Sequence, residues 1–316
     1  RAIFNDETII IRHILKNYYT IYSINMEKDQ IIILENRGLI SITGDDAKEY
    51  LQNIITNDIN KISTTSSLFS ALLSPQGKYL FEFFVIKSSN GYYLDCDNKV
   101  TEELLNNLSK YKLRSEVEIK DLSKEFVIGV ISLDKFKEIQ NLEKNKNSTI
   151  LYRETPIFID SRKKELGARI LSNLEKLYLT IKKLNLEIAD IKIYLDDAYH
   201  QGIPINGLEN LKERLFGLEA NFEQLNGIDF KKGCYVGQEN TARMKLKNKL
   251  RRRLLPIKVE GEINIGSEIM FNNNKIGKVL INGPYPFALI KLYDPEFSEF
   301  KDKEMEVDNK KVKILN

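Results

Sequence analysis

Residues 232–239 have the sequence Lys232-Gly233-Cys234-Tyr235-Val236-Gly237-Gln238-Glu239. Its two glycines permit loop conformations that other residues resist. Lys231 and Lys232 place positive charge close to the thiol of Cys234, which favours the thiolate form. These residues make Cys234 a candidate reactive thiol, although a buried and inert thiol is the commoner state of a cysteine taken without its context.

Upstream of this stretch the sequence alternates between strands and amphipathic helices. Apolar residues recur at i, i+3, i+4, i+7 and i+8 from Ala47 to Ile55, which predicts a helix that Asp45 caps. Turn sequences at 74–77 and 88–91 separate apolar runs and predict antiparallel hairpins. The remaining predictions before residue 200 are strands at 31–34, 39–43, 68–73, 79–86, 92–96, 117–119, 126–131, 157–159 and 168–171, helices at 101–111 and 172–199, and a surface loop at 143–148.

Residues 251–316 differ in character from the rest of the chain. Short strand-like runs at 254–259, 268–271, 278–281 and 288–292 alternate with glycine and asparagine turns. That spacing predicts a small all-β module, a barrel. We therefore predict an α+β protein with three parts: an N-terminal extension at 1–25, an α+β region of two intimately packed subdomains at 26–250, and a C-terminal β-barrel at 251–316.

Composition narrows the classes of function. The chain has 316 residues, a net charge of +3 and two cysteines, Cys96 and Cys234. So small a charge does not by itself indicate nucleic-acid binding, and no apolar run approaches the length that spans a bilayer. Cys96 ends a strand-like run and is predicted to be an ordinary packed thiol. The low cysteine content and the lack of a recognisable secretory leader predict a reducing cytoplasm.

The first methionine is Met26, and the chain begins with arginine. Residues 1–25 are therefore either a genuine N-terminal element or an over-extended start. We favour the second interpretation because every recognisable segment follows Met26.

The region around Cys234 resembles a known family. Residues 229–239, followed by Thr241-Ala242-Arg243, resemble the defining motif of the YgfZ-type folate-binding proteins, which are relatives of the aminomethyltransferases. The resemblance extends from about Met26 to the C-terminus. Further segments that occur in family order are Asn36-Arg37-Gly38, Leu51-Gln52, Thr56-Asn57-Asp58-Ile59, Ser74-Pro75-Gln76-Gly77-Lys78, Asp160-Ser161-Arg162, Leu166-Gly167-Ala168-Arg169, Gly202-Ile203-Pro204 and Leu218-Glu219-Ala220-Asn221.

The resemblance implies a fold, a ligand and partners. The fold is that of the glycine-cleavage aminomethyltransferase, with subdomains around a central folate cavity, and the ligand is tetrahydrofolate or a derivative. The implied role is that of an accessory factor in iron–sulfur cluster assembly or repair, supporting iron–sulfur enzymes that include radical enzymes of transfer-RNA modification. The implied partners are iron–sulfur assembly proteins or client enzymes.

The resemblance also implies site residues. Glu219 lies in a tripeptide similar to the pterin-binding segment of the aminomethyltransferases, and a carboxylate can accept two parallel hydrogen bonds from the pterin. Further folate contacts are implied for Asn57, Gln76, Lys78, Arg162 and Arg169. The implied signature-loop residues are Lys232, Gly233, Cys234, Tyr235, Gly237, Gln238, Glu239 and Arg243.

One departure from the aminomethyltransferase pattern concerns catalysis. Those enzymes carry an Asp-Asp pair after a glycine turn, and Phe81 stands at the first of these positions here. A phenyl ring cannot accept a proton, so conventional aminomethyl transfer is not expected. Two alternatives stay open: a one-carbon transferase or demethylase with another general base, and a folate-free scaffold.

Metal binding by the chain alone is not expected. Iron–sulfur clusters generally require four ligands, mostly cysteine, and Cys96, Cys234, His13 and His200 form no ligand-like pair. A structural zinc site is not expected for the same reason. Cys234 remains a candidate nucleophile, redox thiol or transient iron ligand.

A basic run extends from Arg243 to Arg253. Most such runs are solvated faces, and this is our first interpretation. Attraction of the folate's acidic tail is the second. Direct RNA binding is not expected because no stacking aromatic residues interrupt the run.

Overall fold

The computed structural model describes residues 26–247 and 250–315. The sequence prediction for residues 1–25, together with His13, lies outside them. None of the helices within these ranges is long and apolar enough to cross a membrane.

The described residues form two open sheets and a closed barrel, with helices packed on the sheets. The helices are α1 (Ala47–Ile54), α2 (Thr101–Lys112), α3 (Leu133–Leu142), α4 (Leu174–Lys183), α5 (Ile191–His200), α6 (Gln238–Leu246) and α7 (Phe297–Phe300). The strands before the barrel are β1 (Gln30–Leu34), β2 (Arg37–Thr43), β3 (Leu68–Leu73), β4 (Tyr79–Lys87), β5 (Gly91–Asp97), β6 (Glu118–Asp121), β7 (Val127–Ile131), β8 (Thr149–Tyr152), β9 (Thr155–Ile159), β10 (Ala168–Ser172) and β11 (Glu187–Ile188). The barrel strands are β12 (Arg252–Val259), β13 (Glu268–Phe271), β14 (Asn274–Ile281), β15 (Phe287–Lys291), β16 (Met305–Val307) and β17 (Lys310–Ile314).

The first sheet has the order β3-β4-β5-β2-β6 and is antiparallel throughout. Helices α1 and α2 bury their apolar residues against one of its faces, so the predicted amphipathic helix is confirmed. Its predicted cap is wrong. Asp46 occupies the N-cap position instead of Asp45, and the Asp46 carboxylate accepts a hydrogen bond from the backbone N–H of Glu116 at 2.7 Å.

The second sheet has the order β11-β1-β7-β10-β9-β8. Helices α3 and α4 pack on one face, where Phe136 and Leu177 are fully buried. A further apolar cluster contains side chains from both sheets and from the barrel, among them Phe69, Phe158 and Phe287. This shared core joins the three parts of the molecule.

The barrel closes through six strands in the order β12-β15-β14-β13-β16-β17. Its interior is apolar and includes Ile269, Val279 and Phe300. The predicted fold class, α+β with a small C-terminal barrel, is confirmed. The sequence did not reveal β16 and β17, because both strands are short and carry exposed charged residues on their outer face.

Two helical predictions differ from the structure. The predicted helix at 172–199 is divided into α4 and α5, because Asn185 adopts a left-handed conformation (φ 50°) and the short strand β11 follows. The glycines of the signature stretch predict a loop, but its second half begins helix α6 directly after Gly237. Polar and charged residues together dominate α6, so its apolar periodicity is weak.

Candidate functional site

The signature loop is anchored on its N-terminal side by Lys232. Its ammonium is buried and donates hydrogen bonds to the backbone carbonyls of Gln52 (2.7 Å), Ile55 (2.6 Å) and Asn57 (3.0 Å), at the end of α1. These carbonyls include groups that a helix end leaves without an intrahelical donor. Burial lowers the pKa of Lys232 to about 8. Lys232 therefore holds the loop against α1.

The C-terminal anchor is Gly237, which has φ +82° and forms the N-cap of α6. A Cβ on Gly237 would lie 2.5 Å from the carbonyl oxygen of Ser74, so only glycine fits there. The buried Tyr235 precedes it, and burial raises the pKa of its phenol to about 12. The signature residues on both sides of the loop tip are thus fixed in the core.

Cys234 lies at that tip and is exposed, as is Gly233 before it. The side-chain amide of Gln238 donates to the carbonyl of Gly233 at 3.4 Å and so braces the loop from α6. The Lys232 ammonium is held by three backbone carbonyls, and the effect of its charge on the thiol stays a prediction. Cys96 is fully buried, as predicted, and burial raises its pKa to about 12.

Glu219 lines a pocket of about 870 Å³ between α6 and the barrel. Its carboxylate is buried and accepts hydrogen bonds from the backbone N–H of Phe216 (2.9 Å) and from Arg252, whose Nε and Nη2 lie at 2.9 and 3.3 Å. The Arg252 side chain is 41% exposed, so it is free to move toward solvent. The other lining residues are Asn240, Arg243, Met244, Arg251, Lys291, Tyr293 and Asp294.

A second pocket, of about 780 Å³, lies on another side of α6. The residues that follow Cys234 in the sequence, from Tyr235 to Glu239, contribute to its lining. Tyr111, Tyr235 and Val236 give it an apolar lining. Arg243 lines both pockets, and Glu239 and Gln238 line this one. Helix α6 therefore presents signature residues to two cavities.

Two of the predicted folate residues lie near Glu219. The Nζ of Lys78 is 3.6 Å from the centre of the Phe216 ring, which lines the Glu219 pocket. The carbonyl of Gln76 accepts a hydrogen bond from Asn240, another lining residue, at 2.8 Å. The signature helix and the turn at 74–77 thus meet beside this pocket.

The other predicted folate residues do not line it. Asn57 is buried, and its amide donates to the carbonyls of Phe69 (2.8 Å) and Asn226 (2.7 Å). Arg162 and Arg169 are also buried, and both donate to the phenol of Tyr194. These three side chains are engaged with other groups of the protein and do not line the pocket with Glu219, and their contacts with folate stay a prediction.

Arg162 and Arg169 belong to a buried network of charges between the two sheets. Arg162 pairs with Asp160 at 2.8 Å and Arg169 pairs with Asp95 at 2.7 Å. Asp95 also accepts from Arg37 at 2.6 Å. Buried ion pairs are costly to break, because removal of one partner leaves an uncompensated charge.

Glu82, the residue after Phe81, faces this network. Its nearest partners are the phenol of Tyr79 (3.3 Å) and the guanidinium of Arg162 (3.8 Å). Burial raises the pKa of Glu82 to about 7. Phe81 points to the other face of β4, into the apolar core beneath α1, and is 1% exposed. No proton acceptor stands at the Phe81 position.

The residues of the larger pocket fit a pterin with an acidic tail. Glu219 is a buried carboxylate directed into the cavity, and Phe216 and Tyr293 supply aromatic surface. Arg251 and Lys291 supply positive charge. Ligand pockets of this kind combine apolar surface with a few placed polar groups. The fit requires Arg252 to leave the Glu219 carboxylate.

Sequence analysis missed Arg252 as the partner of Glu219, and Lys291 and Tyr293 as lining residues. Arg252 belongs to the basic run, but its partner Glu219 lies 33 residues earlier in the sequence. No local pattern indicates such a contact. The like charges Arg252 and Lys291 face each other on neighbouring strands, which only the barrel register reveals.

Comparison with known proteins gives relatives and a fold. No family model matches the chain. It is 29% identical over 268 residues to the iron–sulfur cluster assembly factor IBA57 homolog, mitochondrial, of Dictyostelium discoideum, covering 74% of this chain and 64% of that protein. It is 27% identical over 245 residues to the iron–sulfur cluster assembly factor IBA57, mitochondrial, of Mus musculus, covering 73% and 66%. The chain thus spans just under two thirds of the length of these relatives.

Among solved structures, the glycine cleavage system aminomethyltransferase T from Bartonella henselae superposes with a TM-score of 0.70 at 13% identity, covering 93% of this chain and 86% of that one. At this identity the likeness shows the fold. The chain therefore has the aminomethyltransferase fold, and its relatives are iron–sulfur cluster assembly factors.

Proposed function

We propose that this protein is a YgfZ-type, tetrahydrofolate-binding accessory factor in iron–sulfur cluster assembly or repair. Its clients are iron–sulfur enzymes, including radical enzymes that modify transfer RNA. The observation that carries the proposal is the exposed Cys234 thiol, held at a loop tip between the buried anchors Lys232 and Gly237. The names of the relatives supply the cluster-assembly context.

The thiol acts together with a partner. Clusters are generally held by four ligands, and Cys234 supplies one. Within the described ranges no group of three histidine, cysteine or acidic side chains is placed to hold a metal ion. The cluster or its iron is cargo that an assembly protein or client enzyme holds in common with Cys234. The fixed flanks present the thiol to that partner without a large ordering cost.

Folate binds in the Glu219 pocket in this proposal. Once Arg252 has left it, the Glu219 carboxylate would accept hydrogen bonds from the pterin's ring N–H and amino group, and Phe216 would supply an aromatic surface. When bound, tetrahydrofolate supplies a carrier for one-carbon units. Because Phe81 cannot accept a proton, the protein binds the folate without catalysing conventional aminomethyl transfer.

The compartment is part of the proposal. The sequence predicts a reducing cytoplasm, in which a free thiol such as Cys234 persists. The names of the relatives place those proteins in mitochondria. A fluorescent fusion of the full chain in its own cells tests the cytoplasmic assignment, and mitochondrial fluorescence would overturn it.

Folate binding is tested by anaerobic calorimetry with tetrahydrofolate. We expect wild-type binding, a loss of about tenfold or more in Glu219→Gln, and little change in Cys234→Ser. Glu223→Gln is the matched control, because Glu223 lies four residues further along the chain and pairs with the exposed Lys245. Absence of wild-type binding, or an equal loss in the control, would overturn the folate part of the proposal.

The cluster role is tested by complementation in a host that lacks its own relative, with the activity of a [4Fe–4S] enzyme as the readout. Cys234→Ser is expected to abolish complementation, and Cys96→Ala to retain it. Each variant is checked for normal expression and folding. Full complementation by Cys234→Ser would remove the thiol from the proposed function.

A further inference from the structure

The pocket of about 780 Å³ beside the Cys234 loop has no role in the folate binding proposed above. We call it the Tyr111 pocket. It is lined mainly by apolar side chains, and residues of α6 form part of its wall. Its apolar lining consists of Pro75, Tyr111, Tyr235, Val236, Ala242 and Leu246.

Leu246 is the most exposed of these apolar side chains. It is the last residue of α6, and 85% of it is exposed. A single exposed leucine is ordinary on a protein surface. Leu246, however, lines the same pocket as Tyr111 and Val236, which are only half-buried. Together these side chains form a concave apolar surface that is open to solvent, and such a surface favours the binding of an apolar side chain from another molecule.

The pocket and the thiol are connected through the backbone. Residues 235–239 all line the pocket, and they follow Cys234 without a gap. Gln238 lines the pocket and also donates its side-chain amide to the carbonyl of Gly233, the residue before Cys234, at 3.4 Å. Because consecutive Cα atoms are about 3.8 Å apart, a segment of a few residues reaches from the thiol into the pocket. A protein that binds at Cys234 therefore has the Tyr111 pocket within reach.

The side chains on the N-terminal side of Cys234 are engaged within the chain itself. The ring centre of Phe230 lies 5.4 Å from the Nζ of Lys245. The carboxylate of Asp229 pairs with Lys61 at 2.5 Å. The apolar contact of a partner is therefore expected on the other side of the thiol, at the Tyr111 pocket.

The charges around the pocket indicate what kind of segment it takes. Arg243 and Lys247 are exposed cations of its lining, and the exposed Lys231 precedes the thiol in the chain. Within the part of the chain that the structure describes, none of these three cations has an ion-pair partner. Glu239 is the one carboxylate among the described lining residues. A partner segment that carries negative charge complements this surface.

We propose that the Tyr111 pocket is the docking site of the protein that holds the cluster in common with Cys234, and that it takes a short segment of that protein in which an apolar side chain stands next to an acidic residue. This inference rests on the proposed function, in which Cys234 supplies one ligand and the partner supplies the others. A contact through one thiol is too small an interface to select a partner. The apolar side chain supplies affinity as an anchor in a pocket, and the cations attract and orient the acidic residue.

The first test is equilibrium disulfide exchange on the full chain, followed by intact mass spectrometry. Each probe is a peptide with an N-terminal cysteine that is capped as a disulfide with cysteamine, a spacer of one, two or three glycines, and two further residues. The Cys234 thiolate attacks the cysteine sulfur of the peptide and releases cysteamine, so that one disulfide replaces another. The concentration of cysteamine that reverses half of the reaction measures how well the rest of the peptide is held.

We expect the peptide that ends in leucine and glutamate to withstand about tenfold more cysteamine than the one that ends in serine and glutamate, because the leucine side chain is buried in the pocket. It is expected to withstand about two- to fivefold more than the peptide that ends in leucine and lysine, which is what exposed ion pairs contribute.

Leu246→Ser is expected to lower the leucine-to-serine ratio about threefold or more, because it removes part of the apolar wall. Leu174→Ser is the matched control and is expected to leave the ratio unchanged. Leu174 is a leucine with 71% exposure at the start of α4, outside the pocket.

Two kinds of result overturn the docking site. One is a set of wild-type ratios near one at every spacer length, or an equal fall of the ratio in Leu174→Ser. The other is a disulfide-linked dimer of two chains that resists cysteamine better than every peptide, because a second copy of this chain would then be the occupant.

A second measurement separates this inference from the proposed function. In the complementation assay described above, Leu246→Glu is expected to lower the activity of the [4Fe–4S] enzyme about fivefold or more, as loss of an apolar anchor does. Leu174→Glu is expected to retain it. Both variants are checked for normal expression and for unchanged reactivity of Cys234 with iodoacetamide.

Full complementation by Leu246→Glu, with loss in Cys234→Ser, overturns the docking site and leaves the proposed function standing. Full complementation by Cys234→Ser removes the thiol from the proposed function, and the docking site fails with it.

Discussion

Gly77 and Gly237 lie back to back, because a Cβ on Gly77 would stand 3.1 Å from the carbonyl oxygen of Gly237 and one on Gly237 would stand 3.1 Å from the Cα of Gly77. Both residues have positive φ, +77° and +82°. The turn at 74–77 and the start of α6 therefore approach at a distance that side chains would prevent. This contact sets the position of the signature helix.

Gly237→Ala is expected to lower the free energy of unfolding by about 2–4 kcal/mol, because it combines a left-handed backbone with a clash against Ser74. Gly233→Ala is the control: nothing lies within 4 Å of its Cβ position, and a change within about 0.5 kcal/mol is expected. Urea denaturation measures both. Equal effects in the two variants would contradict the two-anchor description of the loop.

Lys232→Met is expected to lower the free energy of unfolding by about 2–4 kcal/mol, because three backbone carbonyls lose their donor. Lys231→Met removes a neighbouring exposed lysine and is expected to change it by less than about 0.5 kcal/mol. Denaturant melts of both variants provide the comparison. If the two behaved alike, Lys232 would not be an anchor.

The buried network predicts a pH dependence through Glu82. Burial raises its pKa to about 7 from the ordinary 4.5. Between these values the folded state binds the extra proton, so the contribution of Glu82 to the free energy of unfolding falls as pH rises through this window. When Glu82 is protonated and neutral, the positive charges of Arg37, Arg162 and Arg169 are paired with Asp95 and Asp160 alone.

Glu82→Gln keeps the neutral form at every pH. The free energy of unfolding of the variant minus that of wild type is therefore expected to increase between pH 5 and pH 8, by on the order of 1–3 kcal/mol. Parallel urea titrations across this range measure the difference. A difference that is constant with pH would show that Glu82 stays ionised in the folded protein.

The two cysteines are expected to differ in reactivity with iodoacetamide. Cys234 is exposed, whereas Cys96 is fully buried with its pKa raised to about 12, so native Cys96 is expected to react at least about a hundredfold more slowly. Peptide mass spectrometry resolves the two sites, and denaturation should remove the difference. Rapid native labelling of Cys96 would contradict its burial.

Much of the fold could be predicted because the sequence patterns that indicate its helices and turns lie within short stretches of the chain. The apolar spacing from Ala47 to Ile54 predicts α1, and the same residues are buried. The turn at 74–77 predicts the hairpin of β3 and β4. The missed elements lack such signals: α6 has mostly polar and charged residues, and the break after α4 depends on one residue, Asn185.

The site could be predicted only in part, because its decisive contacts join distant segments. The family resemblance, and not residue type alone, singled out Cys234 as a candidate reactive thiol and Glu219 as a candidate pterin ligand. The partners of Lys232 lie 175–180 residues away in sequence. Arg162 and Arg169 match a family pattern, yet folding commits them to buried carboxylates.

The Glu219–Arg252 pair means that the pocket contains its own competitor. A guanidinium offers two parallel donors to a carboxylate, as a pterin does, and it is tethered to the same chain. Its effective concentration therefore stays constant however far the protein is diluted. The measured affinity of any ligand at Glu219 is its intrinsic affinity reduced by the fraction of molecules in which Arg252 has left. A ligand that also gives the displaced arginine a new partner recovers part of that loss.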